Sequence, residues 1–233
     1  MTPLARARPE ELLGSLTELE RRAAPKELYL HGDRTLLELG TRVAVVGSRR
    51  ASQRALEWTK LVTEVLVHHD VTVVSGLAMG VDTVAHRTAL DRGGKTVAVL
   101  GTGLDQYATA GNRALQDEIG ERGLLVSQFR AGSAPNRSNF PRRNKTMALL
   151  ADATLVVEAA EDSGTRHQGW EAIKFGRPVL FLQRFLDRTP ARWPKEMVKY
   201  GAFGFDAKSL PRVLDDLPYR TVEAAAEDEL LPF

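Results

Sequence analysis

The chain has 233 residues, 43% of them hydrophobic, a formal net charge of +2 and no cysteine. That length accommodates one large or two small domains with a sizeable core, and the missing cysteine excludes disulfides, thiolate zinc sites and a cysteine nucleophile. No apolar run approaches the roughly 20 residues that span a bilayer, and the N-terminus (MTPLARARPEELL) lacks the apolar core of a signal peptide, so a cytoplasmic location with no membrane partner is expected.

Residues 1–25 are expected as an N-terminal helical extension. Pro9 can start a helix, Leu12, Leu13, Leu16 and Leu19 give it an apolar stripe, and Pro25 ends it. Residues 26–42 read as a short strand, a Gly32-Asp33 turn and a short helix. Val43 to Val46 is the first central strand, followed by Gly47-Ser48-Arg49-Arg50. Ser52 is the N-cap of a helix to His69, with Leu61, Val62, Val65 and Leu66 at helical spacing.

Residues 71–105 organise the rest of the chain. They read as strand, glycine turn (Ser75 to Gly80), helix, strand (Thr96 to Leu100) and a second glycine turn, Gly101-Thr102-Gly103. Asn112 to Arg122 is expected as a helix, Leu124 to Ser127 as a strand, Gln128 to Arg142 as a long loop and Lys145 to Leu150 as a helix. Thr154 to Val157 is a buried strand, Ser163-Gly164-Thr165 turns into a helix, and Pro178 to Leu182 is a further strand. Beyond Gln183, Pro194 can start a helix, Phe203 to Phe205 reads as a short strand and Leu210 to Leu217 as a helix. Residues 218–233 form an acidic tail expected to be mobile. Six buried strands alternating with helices mean an α/β fold: a doubly wound, mostly parallel, Rossmann-like sheet with helices on both faces over residues 26–217.

In such a sheet the strand-to-helix turns gather at the carboxyl ends, where ligands bind, and backbone N–H groups at a helix start can cradle a phosphate. No turn reads GxGxxG with an acid at ribose spacing, and none reads GxxxxGK[ST], so neither NAD nor a P-loop nucleotide is expected as cofactor. The loop Asn136 to Lys145 holds Arg137, Asn139, Phe140, Arg142, Arg143, Asn144 and Lys145 and no acid. Cations for phosphates beside an aromatic for a base suit a single nucleic-acid strand. Asp82 and His86, at i and i+4, read as a helix cap and a hydrogen-bonded histidine; with no third ligand evident, no metal is expected. Glu158, Glu161, Asp162, Arg166, His167 and Glu171 surround the 163–165 turn, so nucleotide hydrolysis stays open as a minority reading.

These residues resemble the core of the DprA/Smf family. The likeness runs from Leu28-Tyr29 and Gly32-Asp33 through Val43 to Arg49 with Ser52. It continues over Ser75 to Asp82, Ala85-His86, Ala89-Leu90, Ala98 to Gly101, Gly103 to Tyr107 and Asn112. It closes with Phe140 to Lys145, Val156 to Ala159, Ser163-Gly164 and Gly176-Arg177, covering residues 26–182. The resemblance implies single-stranded DNA binding in DNA uptake, transformation or recombination, loading of a RecA-type recombinase, homodimerisation and no catalysis. It implies a basic DNA pocket containing Ser48, Arg49, Arg142, Arg143 and Lys145. With the residues read above, the expected nucleic-acid site is Gly47, Ser48, Arg49, Arg50, Ser52, Gly76, Met79, Gly80, Gly101, Gly103, Asn139, Phe140, Arg142, Arg143, Asn144, Lys145, Ser163, Gly164 and Thr165.

The sequence departs from the family pattern in four respects. Thr165 is followed by Arg166-His167-Gln168-Gly169 where the family has a small residue and Leu-Ile-Thr-Ala. Gln183-Arg184 stands where Pro-Gly is usual, and Gln128 where an acid is common. The family's N-terminal helical domain is at most vestigial and no C-terminal winged helix fits. The departures leave two alternatives open: a nucleotide-derived ligand binder or LOG-like N-glycoside hydrolase using Glu158 or Glu171 with Arg166, and a defence-associated accessory protein.

Overall fold

The computed structural model describes residues 5–206, 208–219 and 221. Among them nine strands form one sheet: β1 (Ala5–Ala7), β2 (Leu28–Gly32), β3 (Arg42–Val46), β4 (Thr72–Ser75), β5 (Thr96–Leu100), β6 (Leu124–Ser127), β7 (Ala153–Val156), β8 (Val179–Leu182) and β9 (Phe203–Phe205). The helices are α1 (Pro9–Leu13), α2 (Glu18–Ala23), α3 (Thr35–Glu38), α4 (Gln53–His68), α5 (Val81–Asp91), α6 (Arg113–Arg122), α7 (Asn139–Leu150), α8 (Gly164–Lys174), α9 (Gln183–Arg188), α10 (Trp193–Val198) and α11 (Leu210–Asp215).

The spatial order of the strands is β1-β2-β6-β5-β4-β3-β7-β8-β9. Strands β3 to β9 pair in parallel; β1 and β2 are antiparallel additions at the β6 edge. The expected doubly wound, mostly parallel sheet is therefore observed. From β3 the chain winds outward through β4, β5 and β6, then returns to β7 on the opposite side of β3. The β3–β7 boundary is a topological switch point, where successive loops diverge and leave a crevice.

The central strands are continuous apolar runs because both faces are covered. Along β3, Ala44 and Val46 pack with Met147 to Ala151 and Ala172 on one face. Val43 and Val45 pack with Val62, Leu66, Val81, Ala85 and Ala89 on the other. At the amino end of the switch point, Arg42 clamps Asp152: Nε donates to Oδ2 at 3.0 Å and Nη2 to Oδ1 at 2.7 Å. That buried bidentate pair ties the starts of β3 and β7 together.

Several local expectations change. Residues 5–25 are no separate extension: β1 joins the sheet, and Leu12, Leu13 and Leu16 enter the core. Gly14, at φ 72, ends α1 after one turn, which leaves Leu19 half exposed on α2. Leu61 also faces solvent on α4. The 128–142 loop is shorter than expected, since α7 begins at Asn139. Pro141 sits in its first turn, where a backbone N–H has no intrahelical acceptor. The helix α9 follows β8 directly and had no separate sequence signal. Apart from residues 218, 219 and 221, the expected mobile tail lies outside the described residues. No helix among the described residues is long and apolar enough to cross a membrane.

Candidate nucleic-acid interface

At the carboxyl end of the switch point the loops after β3 and β7 part around a cleft of about 380 Å³. Gly47, Ser48, Arg49 and Arg50 form one wall; Ala160, Asp162, Ser163, Gly164 and Thr165 form the other. The face Phe140, Arg143, Asn144, Met147 of α7 closes it, at the i, i+3, i+4, i+7 spacing that aligns side chains on one side of a helix.

The first wall is held by hydrogen bonds. Ser48 N–H donates to the Glu158 carbonyl at 2.7 Å. Glu158 Oε1 accepts from Ser52 N–H at 2.9 Å, and its Oε2 from the Ser52 hydroxyl at 2.7 Å. Ser52 Oγ accepts from Ala55 N–H at 3.2 Å, capping α4 as expected. Glycine is needed at Gly47 because a Cβ there would lie 2.6 Å from Val81 Cγ2. Gly80 combines φ +82 with close approach to the carbonyls of Ser48 and Arg49, so the β4 turn packs directly under the β3 turn. Leu77 also holds a positive φ of 56, and its carbonyl accepts from Asn112 Nδ2 at 3.1 Å.

On the other wall Ser163 caps α8, its Oγ accepting from Thr165 N–H at 3.2 Å. Asn144 Nδ2 donates to the Gly164 carbonyl at 3.0 Å. The amino end of an 11-residue helix thus opens onto the cleft, where its dipole and free N–H groups favour an anion.

The floor carries a desolvated cation. Arg143 is 5% exposed, and its Nη1 donates to the Val99 carbonyl at 3.3 Å. Asp82 lies in the same buried region and accepts from Gly76 and Ala78 N–H at 3.2 Å each. Burial pushes the Asp82 carboxyl above and the Arg143 guanidinium below its ordinary range, while each one's charge works against the other's shift. Asp82 therefore braces the glycine turn; Gly80, not Asp82, stands at the N-cap of α5. His86 is separate from it: Thr96 Oγ1 donates to the Val73 carbonyl and lies 2.7 Å from His86 Nδ1. Burial, helped by the Arg143 charge, lowers the His86 pKa to about 3.

Arg49 lies over the Phe140 ring, 4.7 Å from its centroid, and Arg143 approaches the same ring at 6.0 Å. Gly101 backs the ring, since a Cβ there would sit 3.4 Å from Phe140 Cδ1. Asn139 Nδ2 fixes the helix start by donating to the Gly101 carbonyl at 3.0 Å. Among the described residues Arg49, Arg50 and Arg143 have no carboxylate oxygen within 4.0 Å. The cleft gathers three arginines against two lining acids, the buried Asp82 and the exposed Asp162.

Not every expected site residue meets here. Arg142 and Lys145 occupy another face of α7 and line a separate hollow of about 560 Å³ with Lys26 and Arg130. Arg142 stacks over Phe129 at 5.0 Å, and Lys145 Nζ is 4.0 Å from Glu171 Oε2. Gly103 N–H donates to the Ser133 carbonyl at 2.8 Å, so this turn anchors the 128–138 loop. Met79 is exposed, Gly76 lies behind Arg143, and Ser52 stands behind the first wall. The carboxylates of the hydrolase alternative are committed elsewhere: Glu158 to Ser52, Glu171 to Lys174 at 2.8 Å. Arg166 is exposed and outside the cleft lining. Sequence reasoning missed Val46, Met147, Ala160 and Gln168 in the lining, placed Ala78 there only as part of the 75–80 turn, and gave Asp82 and Asp162 other roles. Of the four missed, Met147 carried a signal, its i+4 spacing from Arg143.

The family model for DNA recombination-mediator protein A matches residues 9–212. The chain is 41% identical over 159 residues to DNA processing protein DprA of Streptococcus pneumoniae, a match covering 68% of this chain and 56% of that protein. It is 39% identical over 160 residues to protein Smf of Synechocystis sp., covering 69% of this chain and 40% of that protein. The chain spans about half the length of the curated relatives it matches. A solved structure of DNA processing protein A from Helicobacter pylori, described for its single-stranded DNA binding mode, superposes with a TM-score of 0.76 at 26% identity. That superposition covers 91% of this chain and 97% of that one. With two thirds of the sequence aligned at such identity and nearly all of the fold superposed, the chain belongs to the DNA recombination-mediator protein A family.

Proposed function

We propose that the chain binds single-stranded DNA across the switch-point cleft and acts in DNA uptake or recombination. The observation that carries this reading is the set of arginines 49, 50 and 143, none in an ion pair, on glycine-rich turns beside the amino end of α8. Phosphates sit on Arg49, Arg50 and the Gly164 N–H at the amino end of α8. The Arg49 guanidinium, held flat by Phe140, offers a plane on which a base stacks.

The binding unit is the whole sheet from β1 to β9. Homodimerisation is supported by the edge strand β9, which pairs on one side among the described residues, and by exposed Val198, Tyr200 and Phe203 on it and just before it in the chain. A RecA-type recombinase as recipient of the strand is the family's contribution to the proposal.

Fluorescence anisotropy of a labelled oligothymidylate, set against a duplex of equal length over a salt series, tests the reading. Expected are a preference for the single strand and a linear fall of log K with log salt. Equal affinity for the duplex, or no salt dependence, overturns it.

A further inference from the structure

On the other side of the Gly47–Ser52 loop lies a second hollow of about 270 Å³. Its floor is apolar: Trp58 and Phe185, half-buried, with buried Leu182. Its rim is basic: Arg54, Arg184 and Arg188 all line it and all are exposed. Arg184 lies over the Trp58 ring, 5.6 Å from the centroid. Among the described residues none of the three arginines has a carboxylate oxygen within 4.0 Å.

The hollow adjoins the cleft. Arg50 lines the cleft and Ser52 the hollow; Ala160 lines the cleft and Ala159 the hollow. Consecutive Cα atoms are about 3.8 Å apart, so the two rims adjoin. Glu158, the acid between them, has both carboxylate oxygens turned onto Ser52. A strand leaving the cleft past Arg50 meets the three arginines of the rim and one acid, Glu158, whose carboxylate is hydrogen-bonded to Ser52. The unusual Gln183-Arg184 pair is what places a guanidinium here, since β8 runs straight into α9.

We propose that this hollow is a second station for the same DNA strand, one base against Trp58 beneath Arg184 and its flanking phosphates on Arg54 and Arg188. The inference rests on the single-stranded DNA reading above. A base on an aromatic platform contributes without regard to sequence, and a guanidinium over the ring adds to it. The apolar floor favours a base, the unpaired arginines favour its phosphates, and the shared wall makes the strand in the cleft the nearest source of both.

The test uses the full chain with two labelled oligothymidylates, one long enough only for the cleft and one extending beyond Ser52. The double variant Arg184→Ala/Arg188→Ala should bind the short strand as the wild type does and the long strand about tenfold more weakly. The long strand alone should quench tryptophan fluorescence, and Trp58→Phe, which keeps the packing, should abolish the quenching. Iododeoxyuridine near the strand end should crosslink to the peptide holding Trp58. Wild-type affinity no greater for the long strand than for the short one overturns the second station and leaves the cleft reading standing. So does equal weakening of both strands in the double variant, or quenching by free thymidine monophosphate as strong as that by the strand. Failure of the wild type to bind either strand overturns both readings.

Discussion

Replacing Gly76 by alanine should disable the cleft by displacing a residue far away in sequence. A Cβ at Gly76 would lie 2.8 Å from Arg143 Nη2, and closer still to its Cζ and Nη1. Gly76 has a negative φ, so the backbone tolerates a side chain and the conflict is steric alone. The Arg143 guanidinium must retreat by about 2 Å to reach ordinary van der Waals separation. It then gives up the Val99 carbonyl and its place above Asp82. Overpacking of this kind costs about 1–3 kcal/mol of stability. Losing one charged contact to a phosphate costs about 1.5–3 kcal/mol, or roughly tenfold or more in Kd.

A double-mutant cycle isolates this cause. Arg143→Ala removes the guanidinium that the new Cβ would strike. Gly76→Ala should weaken oligothymidylate binding about tenfold or more in the wild-type background and leave it nearly unchanged in Arg143→Ala. Thermal unfolding should show the same sign, with a coupling energy above about 0.5 kcal/mol. Additive effects on both stability and binding would refute the reasoning, because Gly76 and Arg143 would then act independently.

Glu158→Gln sets position against charge. Removing an acid beside the cleft should strengthen DNA binding on electrostatic grounds, yet the amide no longer offers two acceptor oxygens to Ser52. Weaker binding and a lower Tm are expected; tighter binding would show that the brace is dispensable. Arg49→Ala should reduce the slope of log K against log salt by about 0.7, the single-strand value for one phosphate contact, with an unchanged slope counting against that contact. His86 makes folding acid-sensitive. Its folded pKa of about 3 lies below the ordinary histidine value of 6.5. The unfolded chain therefore binds the proton first, and this contribution is complete above pH 6.5 and declines as pH falls. Wild type minus His86→Gln should lose unfolding free energy at a slope that rises toward about 1.4 kcal/mol per pH unit as pH falls from 6.5 to 5, measured in urea; a flat difference would sink the assignment.

The sheet was legible because its information is local. Runs such as TVVS and TVAVL, each closed by a glycine turn, announce buried parallel strands without any tertiary context. The N-terminal segment was not, because β1 is three residues long and exists only by pairing Ala5 to Ala7 with Leu28 to Leu30. The split between α1 and α2 turned on the positive φ of Gly14, which the leucine spacing masked. The glycine turns were readable as a phosphate rim, but glycine alone does not say what needs the room. Gly47 admits Val81, Gly76 admits Arg143 and Gly101 admits Phe140. Among the glycines of the cleft turns, Gly80 combines such crowding with a positive φ.

The basic stretch from Asn136 to Lys145 shows most clearly why composition stops short of function. As a loop its cations would form one surface. As a helix from Asn139 they are dealt onto different faces, and neighbours in sequence part company. Arg143 turns inward, loses its water and becomes a fixed charge in the cleft floor. Arg142 turns to Phe129 and lines the hollow with Lys26 and Arg130. Charge in a low-dielectric wall acts more strongly on a bound phosphate than the same charge in solvent. Arg143→Ala should therefore weaken a short oligonucleotide more than Arg142→Ala does, and the Arg142 effect should fade at high salt while much of the Arg143 effect persists. Equal losses with equal salt sensitivity would mean that α7 presents its cations as one exposed patch, and the division of the helix into two faces would have no part in binding.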